Sequence, residues 1–482
     1  MAEENLKYKT RKGYYWKFLE LFANQFMQFV IGIFMARMLS PEDYGLTAIP
    51  AVFMAVAGLF ASAGFGQAMV RKQELKEEDL STAFYYSLGM GVLIYILFFF
   101  SSPWVADFYN APILCPMIRV TALGFIYGPI NTPQNIILER RLDFKTPTKI
   151  GLLAKILYGI TGVALAFYGY GVWALVLSTM FGGIVGMIMK CYVVRWYPKT
   201  GWSKDSFRYL WGYGNKFMAS QIINTLYGNI TPLFIGKYYS PSNLGVYNRA
   251  DGYANLPSST LTGVIQSVSF PILSKIQDDE NRLAHNYQRL LKSTVFVVFP
   301  CMMLLAALAH PLIVTLITKK WESCVILLQI LCFSKMWYPV HAINLNLLLV
   351  KGRTDWFLKL EVIKKCYGII ILLGTLPLGL IVFCAGSIFS SIIGLVVNTY
   401  YTGKLINMGF WKQMRDFLPI LLLSMFMFLV VYCITLIIPN DWGQIVIGGI
   451  VGVALYLGVS YLFKFEEIED LKYMLNIKKT HG

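Results

Sequence analysis

Residues 236–247 read GKYYSPSNLGVY, and residues 36–47 read ARMLSPEDYGLT. Both stretches contain Ser-Pro, three further residues and then Gly, and the two serines, Ser40 and Ser240, are two hundred positions apart. Pro and Gly at this spacing end one helix and permit a tight reversal before the next. The two stretches therefore predict the same interhelical turn in two halves of the chain, with no ligand at Ser240 or Pro241.

The composition is too apolar for a soluble domain. Of the 482 residues, 56% are apolar and 14% are charged, against about 45–50% and about 25% in soluble proteins. Windows of roughly 20 residues with at most one charge recur, and this is the length with which an α-helix crosses about 30 Å of hydrocarbon. The predicted fold is an all-α polytopic membrane protein with about fourteen transmembrane helices, near residues 17–37, 46–66, 83–102, 113–137, 148–169, 171–190, 213–236, 246–270, 293–317, 323–350, 358–382, 384–402, 417–438 and 443–463.

Basic residues alternate between the predicted loops. One set of loops, which includes both chain ends, carries 33 of the 42 Lys and Arg residues, and the opposite set carries few. Because cytoplasmic loops are enriched in Lys and Arg, the first set is predicted to be cytoplasmic, as are both termini. The net charge of +16 is then an orientation signal and gives no indication of nucleic acid as a partner.

Two further matches accompany the turns. The loop RKQELKEED (71–79) corresponds to SKIQDDENRL (274–283), and YGPINTPQNIILERRLDF (127–144) corresponds to YPVHAINLNLLLVKGRTDWF (338–357). A repeat with an even number of spans re-enters the membrane in the same orientation, so its two copies form a parallel pair around a central cleft. The predicted domains are an N-lobe of six helices (1–205), a C-lobe of six helices (206–404) and two extra helices with a short cytoplasmic tail (405–482).

Ionisable residues inside the predicted spans are the candidate site. Such side chains are costly in lipid and usually face a cavity or a partner. Arg119 and Lys335 occupy similar places in the fourth span of each half. The remaining candidates are Lys216, Arg249 and Lys155, with Glu20 and Asp251 as the acidic ones for coupling to an ion. Since basic residues predominate, a shared cavity would be electropositive and suited to phosphate or pyrophosphate.

Several candidates also have a structural interpretation, whereas Arg119 and Lys335 lie deeper in their predicted spans. Lys155, Lys216 and Glu20 are near predicted helix ends, where long side chains reach the membrane interface. Arg249 has Asp251 as a structural partner or a place at the outer rim. A hydrogen-bonded structural role or proton coupling is open to His310 and His341.

No catalytic or metal-binding motif is present. The sequence has no HExxH, P-loop, nucleophile elbow or paired-carboxylate cluster, and its eight cysteines form no CxxC pair. The sequence therefore predicts a protein that is not an enzyme, with no metal and no cofactor.

Four segments carry a family resemblance: ARMLSPEDYG (36–45), ERRLDF (139–144), SFPILSKIQDDENRL (269–283) and KGRTDWFLKLEVIKK (351–365). They resemble those of the polysaccharide-transporter (Wzx-type) flippases. These belong to the MOP superfamily, which also contains lipid II flippases and multidrug (MATE) exporters.

The resemblance implies two six-helix lobes around a basic, V-shaped cavity. It implies movement of undecaprenyl-pyrophosphate-linked sugar units from the cytoplasmic to the outer leaflet of a bacterial inner membrane, for O-antigen, capsule or exopolysaccharide synthesis. The implied partners are the lipid-linked oligosaccharide, membrane lipids, a polysaccharide polymerase and glycosyltransferases. Two alternatives stay open: a cation-coupled MATE-type exporter, for which Glu20 is the only obvious N-lobe carboxylate, and a membrane glycan polymerase or ligase.

Overall fold

The structure is a computed structural model that describes residues 2–468, apart from the side chains of residues 2–15, 17–20, 264, 267 and 268. This part of the chain is all-helical and contains no strand. Contacts between residues divide the chain into two compact units, Met1–Gly245 and Val246–Gly482. Glu20 is one of the predicted coupling residues. Its backbone belongs to the first helix, and its side chain lies outside the described part of the structure.

The helices that begin in the first unit are α1 (Ala2–Met38), α2 (Pro41–Ser62), α3 (Phe65–Arg71), α4 (Glu77–Phe108), α5 (Leu114–Ala122), α6 (Gly124–Tyr127), α7 (Asn131–Arg140), α8 (Lys145–Phe167), α9 (Val172–Val194), α10 (Lys204–Tyr238) and α11 (Pro241–Lys275). A 3₁₀ turn, Gly128–Ile130, separates α6 from α7.

The helices that begin in the second unit are α12 (Glu280–Ala307), α13 (Ala309–Ile317), α14 (Cys324–Lys335), α15 (Tyr338–Val350), α16 (Thr354–Thr375), α17 (Leu380–Ile406), α18 (Phe410–Ile437) and α19 (Asp441–Leu462). Two 3₁₀ turns lie between them, Lys319–Trp321 and Leu376–Leu378.

Ten helical segments of the described chain are long and apolar enough to cross a membrane. The chain is therefore a multi-pass membrane protein, as the composition predicts. The other four predicted spans do not reach this measure. Three of them fall on α10, α11 and α16, whose sequences are more polar, and the fourth is divided into α5, α6 and α7. The count of fourteen spans stays a prediction.

The serine of each Ser-Pro stretch is the N-cap of the helix that follows it. Ser40 Oγ accepts a hydrogen bond from the Asp43 amide (3.2 Å), and the Asp43 carboxylate accepts one from the Ser40 amide (2.8 Å). Ser240 Oγ accepts in the same way from the Asn243 amide, at 3.1 Å. Caps of this kind stabilise a helix by about 1 kcal/mol. The proline that follows each cap is the first helical residue, where no amide hydrogen is needed.

The glycines of the two stretches do not make the reversal that the sequence predicts for them. Gly45 and Gly245 lie in the second turns of α2 and α11, and these helix starts contact each other. A Cβ on Gly45 would overlap the Pro241 carbonyl, and a Cβ on Gly245 would overlap the Pro41 carbonyl. The contact is reciprocal, so glycine is required at both positions for close backbone approach and not for a turn.

In the first unit, the ERRLDF segment anchors the loop that follows α3. Arg140, the last residue of α7, donates to the carbonyl oxygens of Met69 (3.1 Å), Lys72 and Gln73 (2.7 Å). Asp143 then accepts from the amide and hydroxyl of Thr146, at 3.0 and 2.6 Å, in the first turn of α8. These residues therefore join helix ends.

A similar anchor occurs in the second unit. Lys351, directly after α15, donates to the Gln277 carbonyl at 2.8 Å, and Gln277 lies in the loop that corresponds to RKQELKEED. Both halves therefore use a basic residue after the fourth predicted span to hold the second predicted cytoplasmic loop. Arg140 and Lys351 lie at corresponding positions of the two matched segments, residues 127–144 and 338–357.

A buried polar network ties four helices of the second unit together. Gln413 of α18 lies within 3.3 Å of the side chains of Tyr287, Asn344 and Thr402, and donates to the Met408 carbonyl at 2.9 Å. The Tyr287 hydroxyl donates to Asn344 Oδ1 at 2.9 Å. Because unsatisfied polar groups are costly in an apolar core, this network favours one arrangement of α12, α15, α17 and α18.

Candidate functional site

An ion pair joins two of the predicted site residues. Lys335, at the end of α14, lies 2.8 Å from the Asp251 carboxylate on α11. The side chain of Lys335 is 10% exposed and that of Asp251 is 33% exposed. The lysine is therefore held inside the second unit, while about a third of its counter-ion's side chain stays exposed.

Polar residues of α11 surround this pair. Asn255 Oδ1 accepts from Lys335 Nζ at 3.3 Å, and Ser258 donates to the Lys335 carbonyl at 2.8 Å. Tyr247 lies one helical turn before Asp251 in α11. These four residues recur at intervals of three or four, so they line one face of α11. That spacing is visible in the sequence, but the sequence reasoning did not use it and missed Tyr247, Asn255 and Ser258.

Arg249 has a different environment from Asp251, two residues away. Its guanidinium lies 5.8 Å from the Tyr253 ring centroid and 5.7 Å from that of Trp321, which is fully buried. Cation–π contacts of this kind stabilise a guanidinium. The structure therefore places Arg249 against aromatic rings, whereas Asp251 pairs with Lys335.

Arg119 on α5 packs against the second half of α4. Its Nε donates to Ser102 Oγ at 3.0 Å and to the Phe99 carbonyl at 3.2 Å, and its guanidinium lies 4.2 Å from the Phe99 ring centroid. Within the described chain, no carboxylate pairs with Arg119 and its terminal nitrogens have no hydrogen-bond acceptor. Two N–H edges of this half-buried cation are thus available to a ligand.

Lys155 binds neutral groups of α1. Its Nζ donates to the Asn24 carbonyl at 2.9 Å and to Gln28 Oε1 at 3.3 Å. Glu20 lies one helical turn before Asn24, with a side chain outside the described part of the structure. The last basic candidate, Lys216 on α10, has an exposed side chain.

The structure thus joins Lys335 with Asp251 by direct contact. Arg119, Lys155 and Lys216 belong to the first unit, and Arg249, Asp251 and Lys335 belong to the second. No group of three or more His, Cys, Asp and Glu side chains in the described residues could hold a metal ion. The chemistry available is that of cations and hydrogen-bond donors, which fits the binding of an anion.

His341 is held as a neutral imidazole. The Ser391 hydroxyl donates its one proton to the Ser334 carbonyl (3.2 Å), so at His341 Nε2 (3.1 Å) it must accept. Asn398 Nδ2 lies 3.1 Å from Nδ1 and donates to it. Both ring nitrogens are occupied by neutral partners, which favours the structural interpretation of His341. His310 lies 3.6 Å from Glu322, where both side chains are about half exposed or more.

These features define a helical, multi-pass membrane protein with cations inside its helix bundles. The chain belongs to the polysaccharide biosynthesis protein family, whose model matches residues 34–326. The family resemblance carried by the four quoted segments is therefore confirmed.

Relatives of known role are distant and cover much of the chain. The chain is 24% identical over 418 residues to the lipopolysaccharide biosynthesis protein WzxC of Escherichia coli K12, covering 85% of this chain and 84% of WzxC. It is 26% identical over 297 residues to the teichuronic acid biosynthesis protein TuaB of Bacillus subtilis, covering 61% of each chain. It is 24% identical over 324 residues to the succinoglycan biosynthesis transport protein ExoT of Rhizobium meliloti, covering 66% of this chain and 65% of ExoT.

Solved structures share the fold. The lipid II flippase MurJ in an inward closed conformation superposes with a TM-score of 0.74 at 19% identity, covering 94% of this chain and 100% of MurJ. A multidrug resistance MATE family transporter in an inward-facing conformation superposes with a TM-score of 0.60 at 16% identity, covering 79% of this chain and 94% of that one. The predicted MATE-like and flippase-like fold class is confirmed at this level.

Proposed function

We propose that this chain is a flippase for lipid-linked oligosaccharides in the biosynthesis of a surface polysaccharide. It would move polyprenyl-pyrophosphate-linked units from the cytoplasmic to the outer leaflet of a bacterial inner membrane. The family membership supports this proposal, and so do WzxC, TuaB and ExoT, which are named for the biosynthesis or transport of such polymers.

The observation that carries the proposal is Arg119. A guanidinium without a carboxylate partner in the described chain, beside a membrane-spanning helix, is stabilised by an anionic ligand. Its two terminal amino groups match two oxygens of a phosphate, which is the bidentate geometry that arginine offers. The pyrophosphate of a lipid-linked sugar supplies such oxygens, while the polyprenyl tail can stay in the surrounding lipid.

Lys335 would be the second cation for the headgroup. Its ammonium has three N–H groups, and in the described chain Asp251 and Asn255 accept two of them. A phosphate oxygen would take the third, or would displace Asp251. Lys155, Lys216 and Arg249 complete the proposed set of binding residues, and Glu20 and Asp251 are the proposed coupling residues.

The proposed architecture is the predicted one, with lobes at residues 1–205 and 206–404 and two extra helices in 405–482. Fourteen spans would place both termini in the cytoplasm. Alternating access would follow if one lobe rocks against the other around the bound headgroup.

Deletion of the gene in its native host tests this function. We expect loss of surface polysaccharide and accumulation of lipid-linked units in the membrane extract. In the complemented strain, Arg119→Gln and Lys335→Gln should each reduce export about 10- to 100-fold, because each removes a charge-assisted hydrogen bond of about 1.5–3 kcal/mol. Arg141→Gln is the control, since Arg141 is exposed at the end of α7.

Immunoblots of membrane fractions should show equal amounts of the four proteins. Polymer at wild-type levels in the deletion strain would refute the flippase function. Wild-type export by both charge variants would remove the headgroup role of Arg119 and Lys335. Loss of resistance to small organic cations in the deletion strain, with polysaccharide unchanged, would instead support a MATE-type exporter.

A further inference from the structure

A proline in α4 leaves one backbone carbonyl without its helical partner. In an α-helix the amide of each residue donates to the carbonyl four positions earlier, and proline has no amide hydrogen. Pro103 lies inside α4, so the Phe99 carbonyl receives no helical hydrogen bond from it. A carbonyl inside an apolar, membrane-spanning helix needs another donor.

Two side chains supply that donor. The Ser102 hydroxyl donates to the Phe99 carbonyl at 3.0 Å, and Arg119 Nε donates to it at 3.2 Å. Arg119 Nε also lies 3.0 Å from Ser102 Oγ, which is fully buried. The Phe99 ring centroid lies 4.2 Å from the guanidinium carbon, so residues of one turn of α4 contact Arg119 both at Nε and at the guanidinium group.

This arrangement fixes the orientation of the guanidinium. The group is planar, so a hydrogen-bonded Nε and an aromatic ring in contact with the guanidinium together restrict where Nη1 and Nη2 lie. Neither terminal nitrogen has an acceptor in the described chain. The turn thus occupies the Nε edge of Arg119 and leaves the fork of terminal nitrogens unoccupied.

Pro300 of α12 shows the same device without a cation. The carbonyl that Pro300 leaves without a helical donor is that of Phe296, and the Tyr456 hydroxyl donates to it at 2.8 Å. Both groups of this pair are buried. In both helices the carbonyl that the proline leaves free thus receives a hydrogen bond from a side chain. At Phe99, unlike at Phe296, an arginine is one of the donors.

We propose that Pro103, Ser102 and Phe99 are positioning residues that hold the Arg119 fork ready for two oxygens of a phosphate or pyrophosphate group. This inference rests on the proposed function, because it assigns Arg119 to the substrate headgroup. Pro103→Ala would restore an amide donor to the Phe99 carbonyl, and Arg119 would lose that acceptor to the helix. Ser102→Ala would remove the other acceptor of Arg119 Nε and leave the backbone unchanged.

Cys115 provides a local reporter of the site. Its Sγ lies 3.4 Å from Ser102 Oγ, and its side chain is half-buried. The purified full-length chain is treated with N-ethylmaleimide over a range of inorganic pyrophosphate concentrations, and alkylation of the Cys115 peptide is followed by mass spectrometry. We expect pyrophosphate to slow alkylation of Cys115 in the wild type and to have no effect in Arg119→Gln.

The positioning role predicts that Pro103→Ala and Ser102→Ala each raise the half-protecting pyrophosphate concentration about 3- to 10-fold. Pro300→Ala, the matched control, should leave it unchanged. In an Arg119→Lys background, which has no guanidinium fork, Pro103→Ala should have no further effect. A purely structural role for Pro103 would keep its full effect in that background.

The outcomes separate the two levels of the argument. If Pro103→Ala and Ser102→Ala protect Cys115 at the wild-type concentration while Arg119→Gln does not, the positioning role is refuted and the anion site stands. If Arg119→Gln protects like the wild type, or if the wild type shows no protection, the headgroup role of Arg119 is refuted and the positioning role falls with it.

Discussion

Substitution of Asp251 should destabilise the second unit more than substitution of its partner Lys335. Asp251→Asn leaves a lysine that is 10% exposed without a counter-ion, whereas Lys335→Met leaves a carboxylate that is 33% exposed and can be hydrated. An unpaired charge is costly in proportion to its burial. The two partners of one ion pair should therefore give unequal effects.

The exposures set the size of the effect. Removing one partner of a fully buried ion pair costs about 3–5 kcal/mol. Because Asp251 is one-third exposed, solvent screens this pair, and we expect about 2 kcal/mol for Asp251→Asn and about 1 kcal/mol for Lys335→Met. For a unit of this size, about 2 kcal/mol lowers the melting temperature by roughly 4–8 °C.

A double-mutant cycle measures the pair. Apparent melting temperatures in detergent are compared for the wild type, both single variants and the double variant, with Lys319→Met as a control for loss of an exposed positive charge. The double variant should be less destabilised than the sum of the singles, because Asp251→Asn no longer leaves a buried charge. Additive effects, or a larger effect of Lys335→Met than of Asp251→Asn, would contradict the buried-pair reasoning.

Two further predictions concern the Arg140 anchor and the glycines of the Ser-Pro stretches. Arg140→Gln should destabilise the first unit by about 1 kcal/mol through its three lost carbonyl contacts, and Arg141→Gln should not; equal thermal stability of both variants would argue against the anchor. Gly245→Ala should cost about 3 kcal/mol or more, because its Cβ would overlap the Pro41 carbonyl. Gly252→Ala, in the same helix with no atom within 4 Å of the added Cβ, should be neutral or stabilising by up to about 1 kcal/mol in the same melting experiment.

The helical membrane fold was predictable because hydrophobic length and loop charge are local properties of the sequence. The site was predictable only as a set of ionisable residues. Arg119 and Lys335 stand out in apolar segments, but their partners depend on which helix faces lie against each other. The pairing of Lys335 with Asp251, 84 positions earlier in the chain, has no local signal.

The structural roles of glycine and proline were also predictable only in part. Both residues in the Ser-Pro stretches predict a turn, and the turns are present, but Gly45 and Gly245 lie inside helices where another backbone is close. The predicted third span ends at residue 102, directly before Pro103, yet α4 continues through this proline to Phe108. In each case the local pattern predicts the backbone constraint, and the neighbouring helix determines its use.

Arg119 and Lys335, which the sequence places at similar positions in its two halves, differ in the groups that hold them. The acceptors of Arg119 in the described chain are a carbonyl and a hydroxyl, both neutral, so an anionic ligand would meet no competing carboxylate there. Lys335 is paired with the Asp251 carboxylate, so an anionic ligand would have to compete with that carboxylate for the ammonium. Arg119 is therefore the more readily available of the two cations for an anionic ligand.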